Sequence, residues 1–301
     1  MASHKMHASN LFDLSGRVAC ISGGGTGIGL MIAQALAANG VKVYIFGRRK
    51  EVLDKSIEEH GGSKVGTHGG SIIALQGDCT SKESLTAIFD EIEKREGHLS
   101  ILVNNAGINQ KEGDISIDDP KALSDELFNG STFESWSQLQ TTDITSYYFT
   151  SVKALPLLVK GNEKFGKHTS SIISICSMSG ETSTTQGGQF ACALGTTARR
   201  LAATIQLVNL LAHEFSRESL SVRSVGISPG YFPSEMTTGE SGEDNKSHIP
   251  TGSEWGKSSE VPGGRPGHEH DMAQLAIMLA ANKYMQGEVI RIDGGRQLIN
   301  A

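Results

Sequence analysis

The feature that most restricts this chain is a glycine run, Ser22-Gly23-Gly24-Gly25-Thr26-Gly27-Ile28-Gly29, set between a short β-branched stretch and an apolar helical pattern. A backbone that must turn tightly, approach a pyrophosphate and let a helix pack closely on a strand needs glycine at those points. The free N–H groups of the new helix then face the anion. The flanking strand and helix give such a motif its weight. The run therefore predicts a phosphate cradle made by Gly23, Gly25, Thr26, Gly27, Ile28 and Gly29.

The rest of the sequence continues that rhythm. Apolar or β-branched runs at Val18 to Ser22, Val41 to Phe46, Ile72 to Gln76, Ile101 to Asn104, Ile172 to Cys176, Val222 to Ile227 and Val289 to Ile292 read as strands. Stretches with apolar residues three and four apart, Ile28 to Ala38, Ser81 to Glu96, Phe133 to Val159 and Arg199 to Phe215, read as helices between them. Alternation of this kind implies right-handed crossovers and a doubly wound α/β fold. Its parallel sheet is covered by helices on both faces, and ligands bind beyond the carboxyl ends of the strands. Two segments break the pattern. Residues 110–132 read as an insertion, and residues 234–267 read as a mobile substrate lid carrying Trp255, or more plainly as a floppy insertion.

With 301 residues and 38% hydrophobic content, one domain with one sizeable core is expected over residues 1–301, with residues 1–11 flexible. The net charge of −6 comes without a basic tract, so no nucleic acid or anionic membrane is expected as a partner, and a small-molecule substrate is. No segment reaches the roughly 18 consecutive apolar residues of a membrane span, and the N-terminus lacks a signal-peptide core. A cytoplasmic location is the expectation. Cys20, Cys79, Cys176 and Cys192 show no CxxC spacing, and His268 and His270 lie in a Gly/Pro-rich loop, so neither a disulfide framework nor a metal site is expected.

Cofactor preference is written at the end of the second strand. An NAD site places a carboxylate there, about 20 residues past the glycines, to bind ribose hydroxyls. This chain has Gly47-Arg48-Arg49. Guanidinium groups pair bidentately with a 2′-phosphate, so NADP(H) is the expected cofactor. The plainer alternative is a solvated helix start, against which the helix dipole argues.

Together with the glycine turn, Asp78 after the third strand, Asn104-Asn105-Ala106-Gly107 after the fourth, Pro229-Gly230 after the sixth and Asp293-Gly294-Gly295 near the end resemble the short-chain dehydrogenase/reductases in order and spacing. The resemblance spans residues 12 to 299, and the local wording is most similar to fungal, secondary-metabolism members. It implies a seven-stranded Rossmann-type sheet, a nicotinamide cofactor, and a homodimer or homotetramer through the long fourth and fifth helices. By the same resemblance Asp78 and Cys79 meet adenine, Asn105, Ala106 and Gly107 the adenosine ribose, and Pro229, Gly230 and Phe232 the nicotinamide side.

The family's chemistry uses a Ser, a Tyr, a Lys four residues later and an Asn. Ser177 matches the serine, and Asp143 stands at the asparagine position. No Tyr or Lys occurs from Met178 to Gly230. Two registers place the tyrosine position at Thr197 or at Phe190. Losing a positioned general acid costs about 10²- to 10⁴-fold in rate, so ordinary ketone reduction is expected to be poor.

Three readings follow. One is an atypical reductase of a bulky, fairly apolar imine, iminium or conjugated carbonyl in natural-product biosynthesis. Another is a non-redox cyclase or isomerase with Asp143 as acid or base. The third is a catalytically silent partner. Asp143 reads equally as a helix residue with local hydrogen bonds. Glu181, Arg199 and Arg200 are further polar candidates, and Cys192 reads as packing. Phe128, Phe133, Trp136, Met178, Tyr231, Phe232 and Trp255 are candidates for an apolar ligand wall or for core.

Overall fold

A computed structural model describes residues 5–65, 69–180, 182, 185, 188–190, 201–249 and 261–299. The strands are β1 (Val18–Ser22), β2 (Lys42–Gly47), β3 (Ser71–Gln76), β4 (Ile101–Asn104), β5 (Ser171–Ile175), β6 (Arg223–Pro229) and β7 (Val289–Ile292). They form one sheet in the order β3-β2-β1-β4-β5-β6-β7, with every neighbouring pair parallel. The helices are α1 (Ala8–Leu11), α2 (Gly27–Ala38), α3 (Lys50–His60), α4 (Lys82–Glu96), α5 (Pro120–Asn129), α6 (Phe133–Gln140), α7 (Ser146–Phe165), α8 (Leu201–Phe215), α9 (Glu235–Thr238) and α10 (Glu269–Ala281). This is the Rossmann-type doubly wound architecture expected from the sequence.

The two-residue repeat of a strand sends alternate side chains to opposite layers. Ala19 and Ile21 of β1, with Val43, Ile45 and Val103, join Leu53 of α3, Leu36 of α2 and Leu275 of α10 on one face. Cys20, Tyr44, Phe46 and Leu102 join Phe89 of α4, Leu158 of α7 and Leu211 of α8 on the other. The chain leaves β1 toward β2 and β3, then crosses back to β4 on the other side. A crevice therefore opens between the carboxyl ends of β1 and β4, where both the glycine turn and Asn105 lie.

Four local features add detail that the sequence reading lacked. The helix expected over Phe133 to Val159 is α6 and α7 joined by a π-helical turn at Thr141–Thr145. The 110–132 insertion contains α5, started by Asp119, whose side chain accepts from the N–H of Ala122 at 2.8 Å, with Pro120 in the first turn. Within the first eleven residues, Ala8–Leu11 make a helical turn with no buried residue. The lid expected over 234–267 is, over 234–249, fastened to α3. Asn245 donates to the Val52 carbonyl and to Ser56 Oγ at 2.8 and 2.9 Å, and the His60 ring lies 2.6 Å from the Asp244 carbonyl. Trp255, Glu181, Cys192, Thr197, Arg199 and Arg200 lie outside the described residues.

Arg223 of β6 is the largest fully buried side chain among the described residues. Its guanidinium donates to the carbonyls of His168, Leu279, Ala280 and Met285, closing the end of α10 against the sheet. Burial lowers its pKa to about 10, which still leaves it charged.

Candidate active site

The glycine turn is held by what glycine permits. Gly23 has φ +64°, and a Cβ on Gly29 would stand 2.4 Å from the Gly23 carbonyl oxygen and 2.5 Å from Asn105 Nδ2. No other residue allows α2 so close to β1. Asn105 completes the turn, its side-chain amide donating to the carbonyls of Ser22 and Gly23 at 3.0 Å each. Ser22 Oγ accepts from the N–H groups of Asn105 and Ala106 at 2.9 and 3.0 Å. The Asn105 side chain is thus engaged in fixing the cradle, and it is the backbone of 105–107 that faces the cleft. Thr26 caps α2 with an extended backbone and makes no side-chain cap hydrogen bond. The first amides of a three-turn helix are left to an anion, and a dinucleotide's pyrophosphate fits that cradle.

One cleft of about 440 Å³ runs from this cradle across the carboxyl edge of the sheet. Gly23, Gly25, Thr26, Gly27, Ile28, Arg48, Arg49, Asp78, Cys79, Asn105, Ala106, Gly107, Asp143, Ser177, Pro229, Gly230 and Phe232 all line it, while Gly29 stands behind the turn. The structure thus brings together residues that the sequence spreads over more than 200 positions. Their individual surroundings differ. Asp78 Oδ1 accepts from the N–H and the hydroxyl of Thr80 at 2.8 and 2.7 Å. Burial pushes the Cys79 thiol pKa up. The Gly230 N–H donates to the Ile292 carbonyl at 2.9 Å, joining β6 to β7, and Phe232 is buried against Gly267.

The two arginines part company. Arg48 is exposed on the cleft wall, with its carbonyl accepting from Gln76 Nε2 at 3.0 Å. Arg49 forms a two-pronged ion pair with Glu235 at the start of α9, with N···O distances of 2.6 and 3.3 Å. No carboxylate follows β2 within the Gly47-Arg48-Arg49 stretch itself, and the carboxylate at this corner is that of Glu235, brought in on Arg49.

At the other end, Ser177 follows β5, half-buried, and its Oγ accepts from the Ser179 N–H at 3.1 Å. Asp143 is 7% exposed on the π-helical turn. Its Oδ1 accepts from the Ile108 N–H at 3.0 Å, while Oδ2 is buried with no hydrogen-bond partner among the described residues. Burial raises this carboxyl to about 7, against a smaller opposing effect of the Ile108 hydrogen bond. A buried carboxyl with one satisfied oxygen is held as a neutral acid, able to donate a proton near neutral pH. Such π turns recur at functional sites, because the extra residue re-aims a side chain.

Among the cleft residues that the sequence reading did not single out are Tyr147 and Arg296. Tyr147, one helical turn beyond Asp143, is buried in the wall and donates to the Ile175 carbonyl at 3.3 Å. Burial, with Asp143, Cys176 and Cys79 nearby, keeps its phenol well above the ordinary tyrosine pKa. Its i+4 spacing from Asp143 was the available signal. Arg296, buried in the turn after β7, stacks on the Tyr231 ring at 3.8 Å and reaches Met178 Sδ at 3.5 Å. Of the expected apolar wall, Met178, Tyr231 and Phe232 line the cleft, whereas Phe128 and Phe133 are 84% and 94% exposed on the insertion side. Trp136 lies outside the cleft lining and donates to Ser131 Oγ. Among the described residues no group of His, Cys, Asp or Glu is arranged to hold a metal, and no helix is long and apolar enough to cross a membrane.

Known proteins resemble this chain over most of its length. The short chain dehydrogenase family model matches residues 17–245. The chain is 35% identical over 293 residues to the short-chain dehydrogenase/reductase PhomF of Diaporthe leptostromiformis, covering 96% of this chain and 94% of the relative. It is 32% identical over 289 residues to the rhamnolipids biosynthesis 3-oxoacyl-[acyl-carrier-protein] reductase of Pseudomonas aeruginosa, covering 95% and 98%. Among solved structures, the Pseudomonas aeruginosa RhlG/NADP active-site complex superposes with a TM-score of 0.74 at 28% identity, covering 96% of this chain and 99% of that one.

Proposed function

The chain belongs to the short-chain dehydrogenase/reductase family, and from that premise we propose that it is an NADP(H)-dependent reductase of a bulky, fairly apolar small molecule. A conjugated carbonyl or an imine from a biosynthetic pathway is the acceptor class. The observation that carries this reading is one continuous cleft joining the phosphate cradle and Arg48 to Ser177 and Asp143. The NADP-bound structural neighbour and the biosynthetic reductase among the relatives support it.

The hydride would come from a nicotinamide held here. The glycine turn and the amides of α2 would hold the pyrophosphate, Arg48 the 2′-phosphate, and Asp78, Cys79 and the 105–107 backbone the adenosine. Pro229, Gly230 and Phe232 would hold the nicotinamide side. Ser177 polarises the acceptor. Asp143, protonated up to about pH 7, gives the proton that the family's tyrosine gives elsewhere, since no Tyr or Lys stands between Met178 and Gly230. The Arg296 guanidinium in the wall favours negative charge developing on a carbonyl oxygen over a cationic acceptor, so the conjugated carbonyl is preferred to the iminium.

Calorimetric titration with NADPH, NADP⁺ and NADH tests the reading. NADPH is expected to bind at least about tenfold more tightly than NADH, a difference of about 1.4 kcal/mol. Binding of none of the three, or equal binding of NADH, overturns it. A second reading, isomerisation or cyclisation by Asp143 without redox change, is supported by the same unpartnered Oδ2. It predicts turnover with no loss of NADPH absorbance.

A further inference from the structure

Arg49 and Glu235 are 186 positions apart in sequence, yet their side chains meet in parallel across the cofactor cleft, both lining it beside Arg48. Glu235 is not there by chance of a loose side chain. It opens α9, whose capping residue Ser234 lies against Gly27, close enough that a Cβ on that glycine would stand 3.0 Å from Ser234 Cβ. Glu235 Oε1 also accepts from Ser241 Oγ at 3.2 Å. A carboxylate is thereby fixed over the phosphate end of the cleft and paired with one of the two guanidinium groups suited to a 2′-phosphate.

We infer that Glu235 sets the strength of cofactor discrimination by occupying Arg49 in competition with the 2′-phosphate. The inference rests on the reading of this corner as the 2′-phosphate site. A carboxylate and a phosphate monoester present the same oxygen geometry to a guanidinium, so one replaces the other on Arg49. Whatever stabilises the Arg49–Glu235 pair is subtracted from what Arg49 gives the cofactor, and the displaced carboxylate then sits beside a dianion. Arg48 supplies the uncontested share. The consequence is an NADP(H) site of moderated affinity, from which oxidised cofactor departs faster than from a site with two unopposed arginines.

The test is a double-substitution cycle read by calorimetric Kd at low ionic strength, with NADPH and NADH as the probes. Glu235→Gln is expected to tighten NADPH about twofold to fivefold, the upper part of the range given by a partly exposed ion pair, and to leave NADH within about 1.5-fold. Arg49→Met is expected to cost NADPH little in the native background and about twofold to fivefold in the Glu235→Gln background. Both side chains are partly exposed, and unchanged melting temperatures confirm intact variants. An unchanged NADPH Kd in Glu235→Gln overturns the inference. So does equal tightening of NADH, or an Arg49→Met effect of the same size in both backgrounds. Arg48→Met separates the two levels of argument. If the native protein prefers NADPH and Arg48→Met removes that preference while Glu235→Gln changes nothing, the 2′-phosphate reading stands and the role of Glu235 falls. If the native protein shows no preference for NADPH, both fall.

Discussion

Asp143 concentrates the chemistry at the scale of single residues. Its carboxyl holds its proton to about pH 7 in the folded protein, against an ordinary value of 3.8. Folding therefore takes up a proton between those values. The stability associated with neutral Asp143 is complete below about pH 4 and is lost as pH rises through about 7. Asp143→Asn keeps the shape and the acceptor for the Ile108 N–H but cannot ionise. Melting curves of the native protein are expected to fall relative to the variant from pH 5 to pH 8, by roughly 2–4 kcal/mol at the upper end. Parallel curves would show that Asp143 ionises freely. In the proposed reduction, the rate falls above about pH 7, and the variant loses that pH dependence together with about 10²-fold or more in kcat for a carbonyl acceptor. At this scale the glycine turn, Arg48 and Ser177, singled out from residue type and neighbours, come to line one cleft. The sequence was silent on the Arg49–Glu235 pair, because nothing local links positions so far apart. Arg296 was not singled out in the sequence, although its charge stands four residues after the end of β7, directly behind Asp293-Gly294-Gly295.

Elements were legible in proportion to how much of their pattern is local. The strands were found within a residue or two, because β-branched runs ending in turn residues have few other ways to fold. The π turn at Thr141–Thr145 was not, since a single extra residue hardly disturbs a helical apolar spacing over the 33 residues from Phe133 to Phe165. α5 was overlooked because its segment is rich in Asp, Gly and Ser, although Asp119-Pro120 is a helix-start signal. The end of α10 gives a prediction at this scale. Three carbonyls in and beside its last turn, those of Leu279, Ala280 and Met285, depend on the buried Arg223, as does that of His168 before β5, and Arg223→Met fills the volume but leaves all four without that donor. Thermal or denaturant unfolding is expected to show a loss of about 3 kcal/mol or more, with secondary structure unchanged at low temperature. A change under about 0.5 kcal/mol would show that the carbonyls find other donors.

For the molecule as a whole, the alternation of strand and helix already dictated a covered parallel sheet. The strand order then follows from one reversal after β3, which is also what opens the crevice. How segment 234–249 lies was beyond the sequence, because its fastening to α3 runs through side chains whose partners are nearly two hundred positions away. That fastening has a dynamic consequence. Ser56 Oγ donates to the Gly25 carbonyl at 2.6 Å and accepts from Asn245 Nδ2 at 2.9 Å, so one hydroxyl of α3 links the phosphate turn to the 240–249 segment. Deuterium uptake is expected to treat them as one cooperative unit, with amides of 240–249 slowing together with those of 23–29 when NADPH is added. Ser56→Ala uncouples the two, leaving protection of the turn without protection of the strap. A segment outside the cofactor cleft would then report the cofactor's arrival through a serine that does not line that cleft.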